Sequence, residues 1–166
     1  MRLTLYSDYS LRVLVFLATH GERLCSISEI ARGYGISQNH LMKVVNALVR
    51  AGYVESVRGR FGGIRLARPA NLLNVGDIVR HTEEGFDLVD CPNCVIAPAC
   101  GLRQVFCEAV RAFLQVLDRY SVADLIGQRD ALVQLLGSSA SAGGSSAPVA
   151  IEVAGKTRLP RKPTAA

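Results

Sequence analysis

A ten-residue stretch rich in cysteine and proline constrains this chain more than any other feature. From Cys91 to Cys100 the sequence reads CPNCVIAPAC, which holds three of the chain's five cysteines and two of its prolines. Because proline lacks a backbone N–H and clashes inside a helix, no regular helix can run through this stretch. A loop of thiolates favours a soft metal or an iron–sulfur cluster, so the stretch predicts a cofactor-binding loop between two other structural elements.

The spacing of the cysteines narrows what this loop can bind. Cys91 and Cys94 form a Cys-x-x-Cys pair, which suits zinc, an iron–sulfur cluster or a redox dithiol. The nearby Cys100 disfavours the redox pair, which needs no third thiolate. Zinc requires a fourth Cys or His, and no histidine lies near the loop, whereas a cluster accepts a different fourth ligand. Cys107 lies ~10 Å further along a helix and is by default an ordinary half-exposed helical thiol, with a role as substitute ligand left open. Cys25 is interpreted as a small buried hydrophobe.

Composition excludes several classes of protein. With 166 residues, 49% of them hydrophobic, the chain has enough apolar side chains to form one domain with a core. It has no apolar run long enough to span a bilayer and no signal-peptide pattern, so we expect a cytoplasmic protein. An odd number of cysteines argues against a disulfide framework. No phosphate-binding glycine loop and no Ser-His-Asp set is evident, and we do not expect an enzyme.

The part of the chain before the cysteines predicts a helix-turn-helix. Ser7 or Asp8 is expected to cap a first helix, and residues 26–31 begin a short second one that is closed by the glycines at 33 and 35. Ser37 is expected to cap a third helix, whose buried face consists of Leu41, Val44, Val45 and Leu48. In such a motif the later helix enters the major groove of DNA.

Two short strand patterns follow at once and predict a wing. Residues 53–57 and 64–66 alternate as strands do, and residues 58–63 (RGRFGG) form the turn between them. Glycines let this backbone approach DNA closely, and a guanidinium fits a narrow minor groove. The alternative is an ordinary hairpin with solvated arginines. A local excess of positive charge favours nucleic acid, since only Glu55 opposes Lys43, Arg50, Arg58, Arg60, Arg65 and Arg68.

These patterns predict a mainly α fold with a small β-wing, divided into four parts. Residues 1–84 form a winged helix-turn-helix, 85–100 the cysteine loop, 101–137 a dimerisation helix with C-terminal helices, and 138–166 a disordered basic tail. The helix from residue 101 to about 120 carries an apolar stripe made of Leu102, Val105, Ala109, Phe113, Val116 and Tyr120. The winged helix-turn-helix is too small to cover so long a stripe, which predicts that the helix pairs with the same helix of a second copy. Alternatively, residues 122–136 and the first helix cover the stripe.

Residues 1–137 resemble the Rrf2 family of winged-helix regulators. The resemblance rests on residues 1–4 (MRLT), 7–12 (SDYSLR), 57–66 (VRGRFGGIRL) and 76–80 (GDIVR). Three further stretches are most similar to the nitric-oxide-sensing repressors of that family: 36–43 (ISQNHLMK), 98–100 (PAC) and 120–125 (YSVADL).

The resemblance implies a homodimer that holds one iron–sulfur cluster per subunit. Cys91, Cys94 and Cys100 would be ligands, and Asp8 of the partner subunit would be the fourth. A 4Fe–4S cluster is implied, with 2Fe–2S as the alternative, and a helix cap is the alternative role for Asp8. Another branch of the family uses a histidine three residues past the last cysteine, where this chain has Arg103.

We therefore expect a transcriptional repressor whose cluster senses nitric oxide and gates binding to a palindromic double-stranded DNA operator. Base edges would be read by Gln38, Asn39 and His40, while Arg60 would enter the minor groove. The full set of predicted DNA-binding residues is Ser37, Gln38, Asn39, His40, Lys43, Arg58, Arg60 and Arg65. The alternatives are an iron-sensing cluster regulator and a zinc-stapled or thiol-redox protein.

Overall fold

The computed structural model describes residues 2–138. Its helices are α1 Leu5–His20, α2 Ile27–Tyr34, α3 Gln38–Arg50, α4 Val75–Thr82, α5 Leu102–Leu117, α6 Val122–Leu125 and α7 Arg129–Ser138. Strands β1 Val54–Val57 and β2 Gly63–Leu66 form an antiparallel two-stranded sheet. The predicted fold class, mainly helical with a small β-wing, is confirmed. The expected basic tail lies outside the described residues, apart from its first residue at the end of α7.

Helix α1 begins one turn earlier than predicted. Thr4 is its N-cap, and the Thr4 hydroxyl accepts a hydrogen bond from the backbone N–H of Ser7 at 3.2 Å. The prediction that Ser7 or Asp8 caps the helix is therefore wrong. Both residues lie inside the first turn, because threonine four positions into the chain already supplies the oxygen that the exposed N–H groups need.

The core is built around α1, which contacts α3, α4, α6, α7 and β2. Val13, Leu14 and Leu17 on α1 are fully buried. The predicted inner face of α3 is confirmed, since its four apolar residues Leu41, Val44, Val45 and Leu48 all lie in this core. The far end of α1 is held by Arg129, whose Nε donates to the carbonyl oxygen of Thr19 at 2.6 Å.

The wing is joined to the helices through its second strand. The backbones of Cys25 and Ile64 exchange two hydrogen bonds, of 2.9 and 2.8 Å, just before α2 begins. Cys25 is completely buried, which confirms its interpretation as a small core residue. Burial raises the pKa of its thiol, and the opposing attraction of Arg23 is the smaller effect.

Helix α5 stands apart from the helices that follow it. It packs mainly on α4, whereas α6 and α7 pack on α1 and α2. Residues 122–136 and α1 therefore leave most of the apolar stripe of α5 uncovered. Val105 is 61% exposed, and Leu102, Val116 and Tyr120 are nearly half exposed. Among the described residues, no helix has the length and apolar character needed to cross a membrane.

Candidate cluster loop and nucleic-acid interface

The start of α3 presents a row of polar side chains to solvent. Gln38, Asn39 and His40 are exposed, and so is Lys43 one turn later. The apolar residues on the opposite side of α3 are buried, which fixes this orientation. Ser37 occupies the N-cap position but makes no side-chain capping hydrogen bond. Its hydroxyl and the first N–H groups of α3 together offer donors suited to a phosphate.

The wing tip is a tight turn that carries three exposed side chains. Gly59 has φ of 115°, a backbone conformation that favours glycine. A Cβ on Gly62 would lie 2.2 Å from the carbonyl oxygen of Val57, so only glycine fits there as well. This backbone holds out Arg58, Arg60 and Phe61, which are all exposed. Within the described part of the chain, no acidic side chain forms an ion pair with either arginine.

Arg65 differs from the other predicted DNA-binding cations because it is held in an ion pair. It sits on β2 directly opposite Glu55. Its Nη2 and Nε lie 2.7 and 2.9 Å from one oxygen of that carboxylate, and Glu22 approaches its Nη1 at 3.7 Å. This pairing occupies the guanidinium at the base of the wing, so its predicted DNA contact would require exchange of partners.

The cysteine loop is a chain of successive turns. Backbone N–H groups of Cys94, Ala97 and Cys100 donate to the carbonyl oxygens of the residues three positions earlier, at 3.1, 3.1 and 3.3 Å. All the cysteines are free thiols. Cys94 is exposed, while Cys91 and Cys100 are partly buried. Among the described residues of a single chain, no three Cys, His, Asp or Glu side chains are already grouped as metal ligands.

A cleft of about 920 Å³ lies beside this loop, between α4, α5 and the segment that precedes the cysteines. Cys91 and Cys107 both line it, together with Arg103 and Arg111. The apolar part of its wall includes Phe106, Val110 and Leu114, a side of α5 different from the exposed stripe. Cys107 thus faces the same space as one predicted ligand, which keeps it open as a substitute. Three arginines and three aspartates line the cleft, so its charges balance, and it is the free thiols of the loop that suit the iron of an iron–sulfur cluster.

Asp8, the predicted ligand from the partner subunit, is held on its own helix in this chain. Its carboxylate oxygens lie 3.0 Å from Nε and Nη2 of Arg12, one turn further along α1. The alternative role of Asp8 as a helix cap is excluded by Thr4. Both partners are partly exposed, so this ion pair is easily exchanged for another ligand.

Sequence reasoning missed a carboxylate that anchors the start of α1. Glu83, just past α4, accepts hydrogen bonds from the backbone N–H of Thr4 at 2.8 Å, from the Thr4 hydroxyl at 3.0 Å and from the Ser7 hydroxyl. Desolvation raises the pKa of Glu83, but the bonds from Ser7 and Thr4 outweigh it and lower the pKa overall. No sequence signal links groups so far apart, although the Thr-x-x-Ser spacing could have identified the cap.

A second missed contact ties α4 to the end of α5. Arg80 binds both carboxylate oxygens of Asp118 at 2.7 Å, and this hydrogen bonding lowers the pKa of Asp118. Asn74 donates to the backbone carbonyl of the same aspartate at 2.8 Å. The cleft beside the cysteine loop is therefore bridged at one end by an ion pair between its two helical walls.

Comparisons with known proteins agree on one family. The sequence profile of Rrf2, described as an iron-dependent transcriptional regulator, matches residues 3–128. The HTH-type transcriptional regulator NsrR of Bacillus licheniformis is 50% identical over 142 residues, which cover 82% of this chain and 99% of that protein. NsrR of Bacillus subtilis is 50% identical over 143 residues, covering 82% and 97%.

Solved structures resemble the fold over the same part of the chain. IscR of T. potens has a TM-score of 0.65 at 30% sequence identity, covering 77% of this chain and 88% of that one. The oxidized form of CymR from Staphylococcus aureus has a TM-score of 0.64 at 27% identity, covering 76% and 97%.

Proposed function

The chain belongs to the Rrf2 family of iron-dependent transcriptional regulators, and on that premise we propose that it is a repressor whose iron–sulfur cluster senses nitric oxide and gates operator binding. The recognition of an NsrR-like regulator from sequence is confirmed by the two Bacillus relatives. The observation that carries the proposal is the placement of three free thiols on one turn-rich loop, between a winged helix-turn-helix and an uncovered apolar helix.

The proposed DNA contacts use the two exposed edges of the head. Gln38, Asn39 and His40 read base edges from the start of α3, while Ser37 and Lys43 contact phosphates. Arg58 holds a phosphate beside the wing, and Arg60 enters the minor groove. Support comes from their exposure and from the absence of acidic ion-pair partners for Lys43, Arg58 and Arg60 in residues 2–138. Arg65 contributes only if it leaves Glu55.

The proposed assembly is a homodimer formed through α5. Its apolar stripe is left exposed by the rest of the described chain, and a second copy of the same stripe is its natural complement. A two-fold dimer presents two recognition helices related by symmetry, which calls for a palindromic operator. As a regulator of chromosomal genes, such a dimer would act in the cytoplasm.

The proposed ligands are Cys91, Cys94, Cys100 and Asp8 of the partner subunit. When bound, a cluster of 4Fe–4S type supplies iron that reacts with nitric oxide. The exposed loop leaves that site open to a small gas, and a carboxylate is a weaker ligand for such iron than a thiolate. Asp8 sits at the start of α1, and α1 packs against α3, so engagement of Asp8 bears directly on the recognition helix.

Anaerobic purification tests the cofactor. We expect a brown protein whose absorbance and Mössbauer spectra report a cluster, and whose colour and operator binding are both lost on addition of nitric oxide. Replacing Cys91, Cys94 and Cys100 together with serine should abolish the colour, whereas the Cys107→Ser variant should keep it. A colourless protein containing zinc would contradict the proposal, and a colourless Cys107→Ser variant would move Cys107 into the ligand set.

Asp8 has a matched control on the same helix. Asp8→Asn removes the carboxylate, whereas Arg12→Ala breaks the same ion pair and leaves the carboxylate in place. We expect the first variant to lose its cluster faster to a chelator or nitric oxide, and the second to behave like the unmodified protein. If the two variants lost the cluster at the same rate, Asp8 would act only in its ion pair with Arg12 and not as a cluster ligand.

Charge reversal tests the DNA interface. Lys43→Glu should weaken binding to all duplexes about equally and flatten the dependence of log K on log salt by about one unit. Arg60→Ala should weaken operator binding, and normal binding would refute its minor-groove role. Comparing the response to nitric oxide with that to iron chelation separates nitric-oxide sensing from iron sensing.

A further inference from the structure

The wing tip carries an exposed aromatic ring that is not part of the protein's core. Phe61 is 86% exposed, and it is the most exposed aromatic side chain among the described residues. Its one aromatic or cationic partner there is Arg60, whose guanidinium carbon lies 5.8 Å from the ring centroid. An exposed phenylalanine in this position adds nothing to the core and leaves a large apolar surface in water.

The surroundings of the ring define the chemistry of its partner. Arg58 and Arg60 flank it, and neither has an acidic partner in the part of the chain that the structure describes. A complementary surface must therefore be strongly anionic and still offer an apolar patch between its charges. The minor groove of duplex DNA has this character, because phosphates border walls made of deoxyribose C–H groups.

The turn presents the ring in a fixed position. The N–H of Gly62 donates to the carbonyl oxygen of Gly59 at 3.0 Å, and there is no room for a Cβ on Gly62. Phe61 is thus held between two constrained residues at the extreme end of the hairpin. The ring projects into solvent beside the guanidinium of Arg60, so a groove that receives Arg60 also receives Phe61.

We propose that Phe61 is a specificity residue that packs its ring against the deoxyriboses of the minor groove, beside the guanidinium of Arg60. This inference rests on the proposed DNA-binding function and deepens it. An apolar contact with both groove walls depends on the width of the groove, which varies with base sequence. Phe61 thereby favours particular sequences at positions where no base edge is touched.

The salt dependence of binding distinguishes this apolar contact from contacts with phosphates. Removing an arginine reduces the number of counterions released on binding and flattens the salt dependence. Removing a phenyl ring changes no charge, so affinity should fall while the salt dependence keeps its slope. Loss of an apolar contact of this size should weaken binding about tenfold.

The experiment uses the cluster-loaded protein and a duplex selected by it from a random-sequence library. Fluorescence anisotropy over a range of salt concentrations compares the unmodified protein with Phe61→Ala, Phe61→Leu and Arg60→Ala. Leu72→Ala is the matched control, because Leu72 is another exposed apolar side chain, 63% exposed, outside the wing. Thermal denaturation checks that Phe61→Ala folds normally, as its exposure predicts.

We expect Phe61→Ala to weaken binding about tenfold with an unchanged salt slope, Phe61→Leu to retain most of the affinity, and Leu72→Ala to bind normally. A repeated selection with Phe61→Ala should return sequences with relaxed preference at the positions under the wing. If Phe61→Ala kept both its affinity and its selected sequences, the inference about Phe61 would be overturned while the proposed function would stand. Altered self-association with normal DNA binding would overturn it too and assign the ring to a protein contact. Failure of the unmodified protein to select any duplex would overturn the proposed function as well.

Discussion

Replacing Glu83 should measure how firmly the start of α1 is anchored. Its carboxylate receives three hydrogen bonds, two from Thr4 and one from Ser7. A hydrogen bond to a charged group contributes about 1.5 kcal/mol or more, but Glu83 is only partly buried and its charge is screened, so about 0.7 kcal/mol each is appropriate. Glu83→Ala should therefore lower the free energy of unfolding by about 2 kcal/mol.

The amide variant separates charge from geometry. Glu83→Gln keeps an acceptor oxygen and loses the charge, so we expect a smaller loss of about 1 kcal/mol. For a domain of this size, Glu83→Ala should lower the Tm by about 8 °C and Glu83→Gln by about 4 °C. Glu84→Gln is the matched control, since it removes the same charge from the exposed neighbouring residue. Circular dichroism during thermal and urea denaturation measures all three.

The pH dependence gives an independent check with a definite sign. The pKa of Glu83 is lowered in the folded protein from an ordinary value of 4.5. Its stabilising contribution is therefore complete above about pH 4.5 and is lost as the pH falls through the folded pKa. The stability difference between the unmodified protein and Glu83→Gln should shrink in acid. A difference that persists unchanged at low pH, or a Glu84→Gln variant as unstable as Glu83→Gln, would refute the anchoring role.

Three other substitutions or reactions have definite expected outcomes. Gly76→Ala would place a Cβ 2.0 Å from Oδ1 of Asp118, so it should break the ion pair between α4 and α5 and lower the Tm; an unchanged Tm would show that the pair shifts freely. Ser26→Ala removes the capping box of α2 and should cost about 1 kcal/mol in urea denaturation. Cys25, buried and with a raised pKa, should be alkylated by iodoacetamide at pH 8 far more slowly than the loop cysteines of cluster-free protein, as mass spectrometry of peptides can report; equal rates would contradict its burial.

Local patterns in the sequence were sufficient for the head of the molecule. The buried face of α3 follows from helical spacing alone, and the wing follows from two alternating stretches around a glycine-rich turn. The cap of α1 was misplaced because Ser7 and Asp8 are as good N-cap residues as Thr4. Periodicity does not tell which of several nearby polar residues caps the start of a helix.

Contacts across long stretches of chain could not be predicted. Glu83 meets Thr4, and Arg80 meets Asp118, only after the helices between them have packed. Such ion pairs and hydrogen bonds leave no spacing rule in a single sequence. The loop cysteines were identified by their density, but the orientation of Cys107 into the same cleft as Cys91 depends on how α5 packs against α4.

The two anchored ends of α1 have a mechanical consequence. Glu83 accepts hydrogen bonds from the residues at its start, and Arg129 donates a hydrogen bond to a backbone carbonyl in its last turn. A rod of 16 residues secured in this way is about 24 Å long. Tilting it by about 5° about one tip would displace the other by about 2 Å. Because α1 packs against α3, which carries the proposed base-reading residues, a small change of angle at Asp8 would move α3 by an amount comparable with the tolerance of a hydrogen bond to a base.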